Sequence, residues 1–269
     1  MTGIFPEIHK IGKIYPLFKN KDKCDLANYR PICLLNAVSK ILEKIVANRL
    51  ITYLENNALL TENQYAYRKG KGTDLSNINL VKNVLQAFDE NKYTISVFLD
   101  LTKAFDCVDH SILLQKLKYY GIHDTPYYWI SSYLKDRSQY VYFNQKQSNI
   151  KNITKGVPQG SILGPLLFLI FINDLDKAIE TGNLSLFADD ANYFDSHKDL
   201  NQLISTVNNN ISKLSEWFLA NKLSLNHLKS EAMIFSRKVL YFPVGYPPVP
   251  PEAQITWSLF LSLSVDIGT

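Results

Sequence analysis

Cysteine is scarce in this chain, and its three copies are scattered. Cys24, Cys33 and Cys107 form no CxxC pair. This spacing argues against a disulfide framework or a paired-cysteine zinc site and suits reduced thiols in an intracellular protein, with nucleus and cytoplasm left open. Histidine is equally thin: the five residues, His110 and His123 among them, show no metal-ligand spacing and read as structural. Long apolar runs are missing too. The longest, residues 162–172, contains Gly164 and Pro165 and is too short to span a bilayer, so no membrane partner is expected. The opening Met1-Thr2-Gly3-Ile4-Phe5-Pro6 has no basic stretch before an apolar one and does not match a secretory signal. No repeat or low-complexity stretch stands out. Charge of one sign is not in excess either: 29 Lys and Arg against 25 Asp and Glu leave a net +4. So mild a balance permits a nucleic-acid partner without arguing for one.

What is present is ordinary globular material: 269 residues, 46% hydrophobic and 20% charged, enough for one large domain or two small ones. Residues 10–30 are basic and loop-like. Helical periodicity covers residues 36–54 through Val38, Ile41, Leu42, Ile45, Val46, Leu50 and Leu54. Residues 64–73 form a polar turn with Arg68, Lys69 and Lys71, and residues 75–88 read as a helix. A short buried strand, residues 94–99, ends at Asp100. Asp109 is placed to cap a helix that Gly121 stops, and Thr125-Pro126 opens another. Residues 140–143 and 150–154 suggest a hairpin around Asn144-Gln145-Lys146. A loop over residues 156–160 leads into a strongly apolar helix. A second short strand, residues 184–188, runs into Asp189-Asp190. An amphipathic helix over residues 200–219 and strand-like residues 223–225 and 232–235 follow, and residues 241–251 are proline-rich. This order predicts an α+β fold, a sheet layered with helices.

Three constellations carry chemistry. Phe98-Leu99-Asp100-Leu101-Thr102-Lys103-Ala104-Phe105-Asp106 puts a carboxylate at the end of an apolar strand, where burial is costly unless a cation is near. Leu186-Phe187-Ala188-Asp189-Asp190 puts two carboxylates side by side with no basic neighbour. A solvated turn would tolerate them; a hairpin tip would present them to divalent metal. Gly156-Val157-Pro158-Gln159-Gly160-Ser161 keeps backbone free of bulk before a helix, which suits either a plain loop or close approach by a nucleotide. Taken singly, the first and third favour the plain reading.

Their order changes that. With Ile162-Leu163-Gly164-Pro165 following the third, these segments resemble motifs A, B and C of reverse transcriptases, closest to the non-LTR retrotransposon enzymes of the jockey-like lineage. The resemblance runs from about residue 3 to residue 235. Tyr29-Arg30-Pro31-Ile32 and Gln64-Tyr65-Ala66-Tyr67-Arg68-Lys69-Gly70 resemble fingers motifs, the latter with Ala66 and Tyr67 where the family more often has Gly and Phe. Asn221-Lys222-Leu223-Ser224-Leu225-Asn226 and Lys229 resemble a downstream palm motif.

The resemblance implies a right-hand polymerase with fingers and a ferredoxin-like antiparallel palm sheet backed by helices. Residues 1–93 would be fingers, 94–237 the palm with an interleaved fingers segment, and 238–269 a degenerate or truncated tail with no thumb. Asp100, Asp189 and Asp190, with the Leu101 carbonyl, would hold two Mg2+ ions, with Mn2+ as the alternative. Phe105 would lie against the sugar of the incoming deoxynucleotide and disfavour a 2′-OH. Gln159 and Gly160 would contact the nucleotide, Arg68 its triphosphate, and Lys229 would serve as general acid for the pyrophosphate. The expected partners are an RNA template, a DNA primer and deoxynucleoside triphosphates; oligomeric state stays open. The competing expectations are a catalytically silent nucleic-acid-binding remnant, another palm polymerase, and a metal-dependent nuclease. Ala188 and Phe105 favour the reverse transcriptase over other palm polymerases, and the 156–160 loop has no task in a nuclease.

Overall fold

The computed structural model describes residues 3–20, 22–237 and 256–257. The tail expected over residues 238–269 lies outside the described residues, apart from that last pair. In chain order the helices are α1 (Ala37–Asn56), α2 (Thr73–Asp89), α3 (Ala104–Cys107), α4 (His110–Tyr119), α5 (Asp124–Leu134), α6 (Leu163–Ile172) and α7 (Leu200–Ala220). The strands are β1 (Ile11–Phe18), β2 (Tyr29–Leu34), β3 (Tyr93–Leu99), β4 (Arg137–Phe143), β5 (Lys146–Gln147), β6 (Lys151–Ile153), β7 (Asn183–Phe187), β8 (Asp190–His197), β9 (Glu231–Phe235) and β10 (Thr256–Trp257). The chain folds into two compact units, each built from two segments: residues 1–60 with 103–172, and residues 61–102 with 173–269.

In the first unit, β1 pairs antiparallel with β2 and parallel with β4, and β4 also carries β5 and β6. These two first strands overturn the loop expected over residues 10–30. The sequence disguises them: prolines stand in both, Pro16 opposite Pro31, where a proline argues against a strand. The hairpin between β4 and β5 turns on Asn144 and Gln145, both at positive φ (48° and 62°), as a two-residue primed turn requires.

Beside this sheet, α6 packs with α1 and α4. Its Leu-Leu-Phe-Leu-Ile-Phe-Ile run is buried throughout, because a helix apolar on every side must be surrounded by protein. Helix α1 begins where its periodicity predicts, with Asn36 Oδ1 accepting from Val38 N at 2.8 Å. The buried face is a different one from that expected. Ser39, Glu43, Ala47, Leu50 and Leu54 face inward, whereas Val38, Ile41 and Ile45 are exposed. The reason is Glu43, fully buried. Its carboxylate accepts from Ile162 N (2.8 Å) and Leu163 N (3.2 Å) at the start of α6 and from Ser39 Oγ (2.9 Å). A helix N-terminus leaves such amides without intrahelical partners, and a carboxylate is their natural acceptor. The inward face of α1 is therefore partly polar.

The second unit is a sheet in the order β10-β9-β3-β8-β7. Its four longer strands are antiparallel, and β10 joins β9 in parallel. The central β3 is buried at Thr94, Ile95, Ser96 and Val97 in succession, so both of its faces are covered. Both α2 and α7 pack on this sheet. The inward stripe of α7, Leu203, Val207, Ile211, Leu214 and Phe218, has the three- and four-residue spacing read from the sequence. Asp199 caps α7 by accepting from Gln202 N at 2.9 Å.

Candidate active site

The second unit brings the three acidic residues together through strand register. Leu99 of β3 lies opposite Ala191 of β8. The next step of that ladder sets Asp100, just beyond β3, opposite Asp190, the first residue of β8. Phe187 pairs with Asp190 across the β7–β8 hairpin, which leaves Ala188 and Asp189 as its two-residue tip. Ala188 has φ +56°, a left-handed conformation that an alanine adopts only under constraint. That constraint comes from a segment ahead of α2. Asn63 O accepts from Leu186 N, and Tyr65 N donates to Leu186 O, both at 2.8 Å. Between them, the buried Gln64 accepts from Ala188 N through Oε1 at 3.1 Å.

The Asp100 strand end is equally well held. Asp100 N donates to Ser230 Oγ (3.2 Å), and Asp100 O accepts from Asn226 N (2.8 Å). Thr102 N donates to Ser224 O at 2.8 Å, so Leu101 and Leu225 form an isolated antiparallel bridge. In this bridge the flanking residues make the hydrogen bonds, and the carbonyl of Leu101 points away from Leu225. Residues 223–225, expected as a strand, provide only this bridge; the strand proper starts at Glu231.

The electrostatics are those of an anionic cluster in which Lys229 pairs with Asp100. Asp100 Oδ2 is buried and accepts no hydrogen bond; Lys229 Nζ lies 3.6 Å from it. Burial raises the Asp189 carboxyl above its ordinary range, opposed by a backbone hydrogen bond and reinforced by the charge of Asp100. Asp190 is raised by burial, then by Asp189 and Asp100, with Lys229 pulling the other way. Tyr67, at φ +55°, has its phenol raised by partial desolvation and by the charge of Asp189. A cleft of about 370 Å3 opens onto Asp100, Asp190 and Lys229, with Phe98, Asn192 and Ser76 among its walls. A buried carboxylate oxygen that accepts no hydrogen bond and two carboxyls disfavoured as anions fit a divalent cation, whose charge would relieve both conditions. Among the described residues, no three His, Cys, Asp or Glu side chains are closed into a ready cage.

Arg68 also belongs to this unit. Its side chain is buried, donating from Nη1 to Thr61 O (2.6 Å) and pairing with Glu62 at 3.5 Å. Lys71 pairs with the same carboxylate at 2.7 Å. These ties hold the Glu62 carboxyl below its ordinary range, Lys71 first.

Phe105, Gln159 and Gly160 lie in the first unit. Phe105 stacks on Phe168 at 4.6 Å between ring centroids. Gln159 Nε2 donates to Asp106 Oδ1 at 2.9 Å, and Gln159 O accepts from Cys33 N at 2.8 Å. At Gly160, φ is +103°, and a Cβ would stand 2.9 Å from Cys33 O. The close approach that this glycine permits is thus, in this chain, that of its own β2 strand.

Two residues escaped the sequence reading. Gln64 sits in what looked like a solvated turn, and Glu43 on a helix whose apolar residues pointed elsewhere. The capping amides of α6 are visible in sequence only as a helix start, and their acceptor stands 119 residues away from Ile162.

Known proteins agree with this architecture. A family model for reverse transcriptase (RNA-dependent DNA polymerase) matches residues 18–250. The probable RNA-directed DNA polymerase from transposon BS of Drosophila melanogaster is 34% identical over 90% of this chain and 28% of its own length. The RNA-directed DNA polymerase from mobile element jockey of the same species is 29% identical over 88% of this chain and 27% of its own length. The chain thus spans under a third of the curated relatives it matches. Among solved structures, telomerase from Candida albicans in complex with a TWJ fragment of telomeric RNA superposes with a TM-score of 0.60, covering 85% of this chain and 43% of that one at 13% identity. Apo telomerase from Candida tropicalis gives 0.59 over 85% and 46%, also at 13% identity. These likenesses show the α+β fingers-and-palm fold. By the family match and its relatives, the chain belongs to the reverse transcriptase family, as a domain of the non-LTR retrotransposon kind.

Proposed function

We propose that this chain carries the polymerase centre of an RNA-directed DNA polymerase and adds deoxynucleotides to a DNA primer on an RNA template. The observation that carries the reading is the β3–β8 register, whose last pair, Leu99 opposite Ala191, brings Asp100 to the end of the sheet where Asp190 begins β8, with Asp100 Oδ2 buried and accepting no hydrogen bond. Asp100, Asp189, Asp190 and the Leu101 carbonyl would hold two divalent cations, Mg2+ or in its place Mn2+. When bound, such a pair lowers the pKa of the primer 3′-hydroxyl and neutralises charge on the phosphates.

The residues of the chain supply the rest. The strand ends fix the carboxylates before substrate arrives, so that little reorganisation accompanies the reaction. Lys229, exposed and already within 3.6 Å of Asp100, would donate a proton to the departing pyrophosphate. Arg68 would reach a triphosphate by exchanging its single long contact with Glu62 for phosphate, which suits a guanidinium. The resemblance assigns Phe105 to the sugar face of the nucleotide and Gln159 and Gly160 to its base and sugar. Template and primer would be held mainly through their backbones. Residues 1–93 are the proposed fingers, and residues 94–237 the proposed palm with an interleaved fingers segment.

The test is extension of a DNA primer on an RNA template with deoxynucleotides and Mg2+, beside an Asp189→Asn, Asp190→Asn variant. Extension by the wild-type chain alone supports the reading. A folded wild-type chain that binds template–primer and extends nothing overturns it in favour of a silent nucleic-acid-binding remnant.

A further inference from the structure

We infer that Gln64 is a positioning residue, whose side-chain oxygen fixes the turn presenting Asp189 and Asp190 and thereby sets their affinity for a divalent cation. The inference rests on the metal-centre reading above.

Gln64 is 1% exposed. Its Oε1 accepts two backbone amides, Ala66 N at 3.0 Å and Ala188 N at 3.1 Å. One atom therefore joins the loop ahead of α2 to the first residue of the hairpin tip. Gln64 is also bridged to Leu186 in parallel, so its backbone runs beside β7 as a short extra strand. Behind it, the loop is anchored in its own unit. Thr61 N donates to Asn173 Oδ1 at 2.8 Å, Thr61 Oγ1 donates to Asp176, and Asn63 Nδ2 reaches the same carboxylate at 3.4 Å. Gln64 is thus a fixed post, and the tip is tied to it.

Two further facts say that the tie matters. Ala188 holds φ +56°, which its Cβ disfavours, so the turn needs an external bond to persist. Gln64 Nε2 is buried with no hydrogen-bond partner among the described residues. A residue present only for packing would carry no such unpaired donor, and methionine or leucine would fill the space without it. The amide is kept for its oxygen. Groups that orient metal ligands typically alter metal affinity 10–100-fold when removed, although they never touch the ion.

The experiment uses the full chain with Gln64→Met, which keeps length and volume and removes the acceptor, and Gln64→Glu, which keeps an acceptor oxygen. Three quantities are read: amide hydrogen exchange at Ala188, melting temperature without metal, and Mn2+ affinity from the electron paramagnetic resonance signal of the free ion. Gln64→Met is expected to speed exchange at Ala188 and to weaken Mn2+ binding about tenfold or more. Gln64→Glu is expected to restore protection at Ala188 and Mn2+ binding. Wild-type Mn2+ affinity in a folded Gln64→Met variant overturns the proposal. Should Gln64→Met fail to fold, loss of Mn2+ binding in a folded Gln64→Glu that still protects Ala188 overturns it equally. A wild-type chain that binds no Mn2+ overturns the metal-centre reading itself, and this inference with it.

Discussion

Replacement of Glu43 examines the packing logic of the first unit. The Glu43 carboxylate is fully buried and accepts three hydrogen bonds, two of them from the amides that open α6. In Glu43→Ala all three hydrogen bonds vanish, leaving the buried Leu163 N and the part-buried Ile162 N without their acceptor. An unsatisfied buried donor costs about 1–3 kcal/mol. The buried Leu163 N bears this cost in full and the part-buried Ile162 N in part, which places the loss at about 2–4 kcal/mol. For a chain of this size that corresponds to a fall of about 4–16 °C in melting temperature. Glu43→Gln keeps one acceptor oxygen but turns an NH2 toward an amide or toward Ser39, and it should cost about 1–2 kcal/mol. Because the two units can open separately, the assay is hydrogen exchange resolved along the sequence. Protection should fall most in residues 161–172 and in α1. If both variants keep α6 protection within 1 kcal/mol of wild type, by the scale of an ordinary surface substitution of about ±0.5 kcal/mol, the capping role is refuted.

Other consequences follow from the same geometry. Asp189 and Asp190 have raised pKa values, so the folded state holds its protons more tightly than the unfolded state. Stability of the metal-free chain should therefore fall as pH rises from the ordinary carboxylate pKa through the raised ones. Asp189→Asn should raise the melting temperature at pH 7 and leave it unchanged at pH 3; equal shifts at both values would contradict this. Added Mg2+ should stabilise the wild-type chain by about 2.7 kcal/mol at a hundredfold excess over Kd, and the Asp189→Asn, Asp190→Asn variant far less, as thermal scans would register. Gly160→Ala combines a disfavoured φ with a Cβ 2.9 Å from Cys33 O, and denaturant titration should show a loss of about 1–3 kcal/mol. Gln145→Gly relieves a positive φ in the β4–β5 turn and should gain about 0.5–1 kcal/mol by the same titration.

Much of the fold was legible where its signals are local. A run such as Thr94-Ile95-Ser96-Val97-Phe98-Leu99 has few alternatives to a buried strand, and Asp109 and Asn36 announce their helices within a few residues. The same holds for the order of the acidic motifs, which pointed to Asp100, Asp189 and Asp190 before any ladder was known. What stayed hidden depends on partners distant in sequence. Strand β1 pairs with β4, more than a hundred residues later, and its proline argues against a strand. Helix α1 shows its apolar stripe plainly, yet packing follows Glu43, whose value lies in two amides of α6. Gln64 reads as turn material until Ala188 is set beside it. Arg68 illustrates a third case: its charge type was clear, but its engagement by Thr61 and Glu62 is a property of the folded loop.

The most direct test of the central claim is single-nucleotide extension of a DNA primer on an RNA template, measured against Mg2+ concentration for the wild-type chain and for Asp100→Asn. Three carboxylates acting as one cation site predict incorporation that rises with Mg2+ in the wild-type chain and falls at least a hundredfold in Asp100→Asn, an effect of about 2.7 kcal/mol or more on the barrier. Equal incorporation by the two proteins, or incorporation that ignores Mg2+, would contradict it.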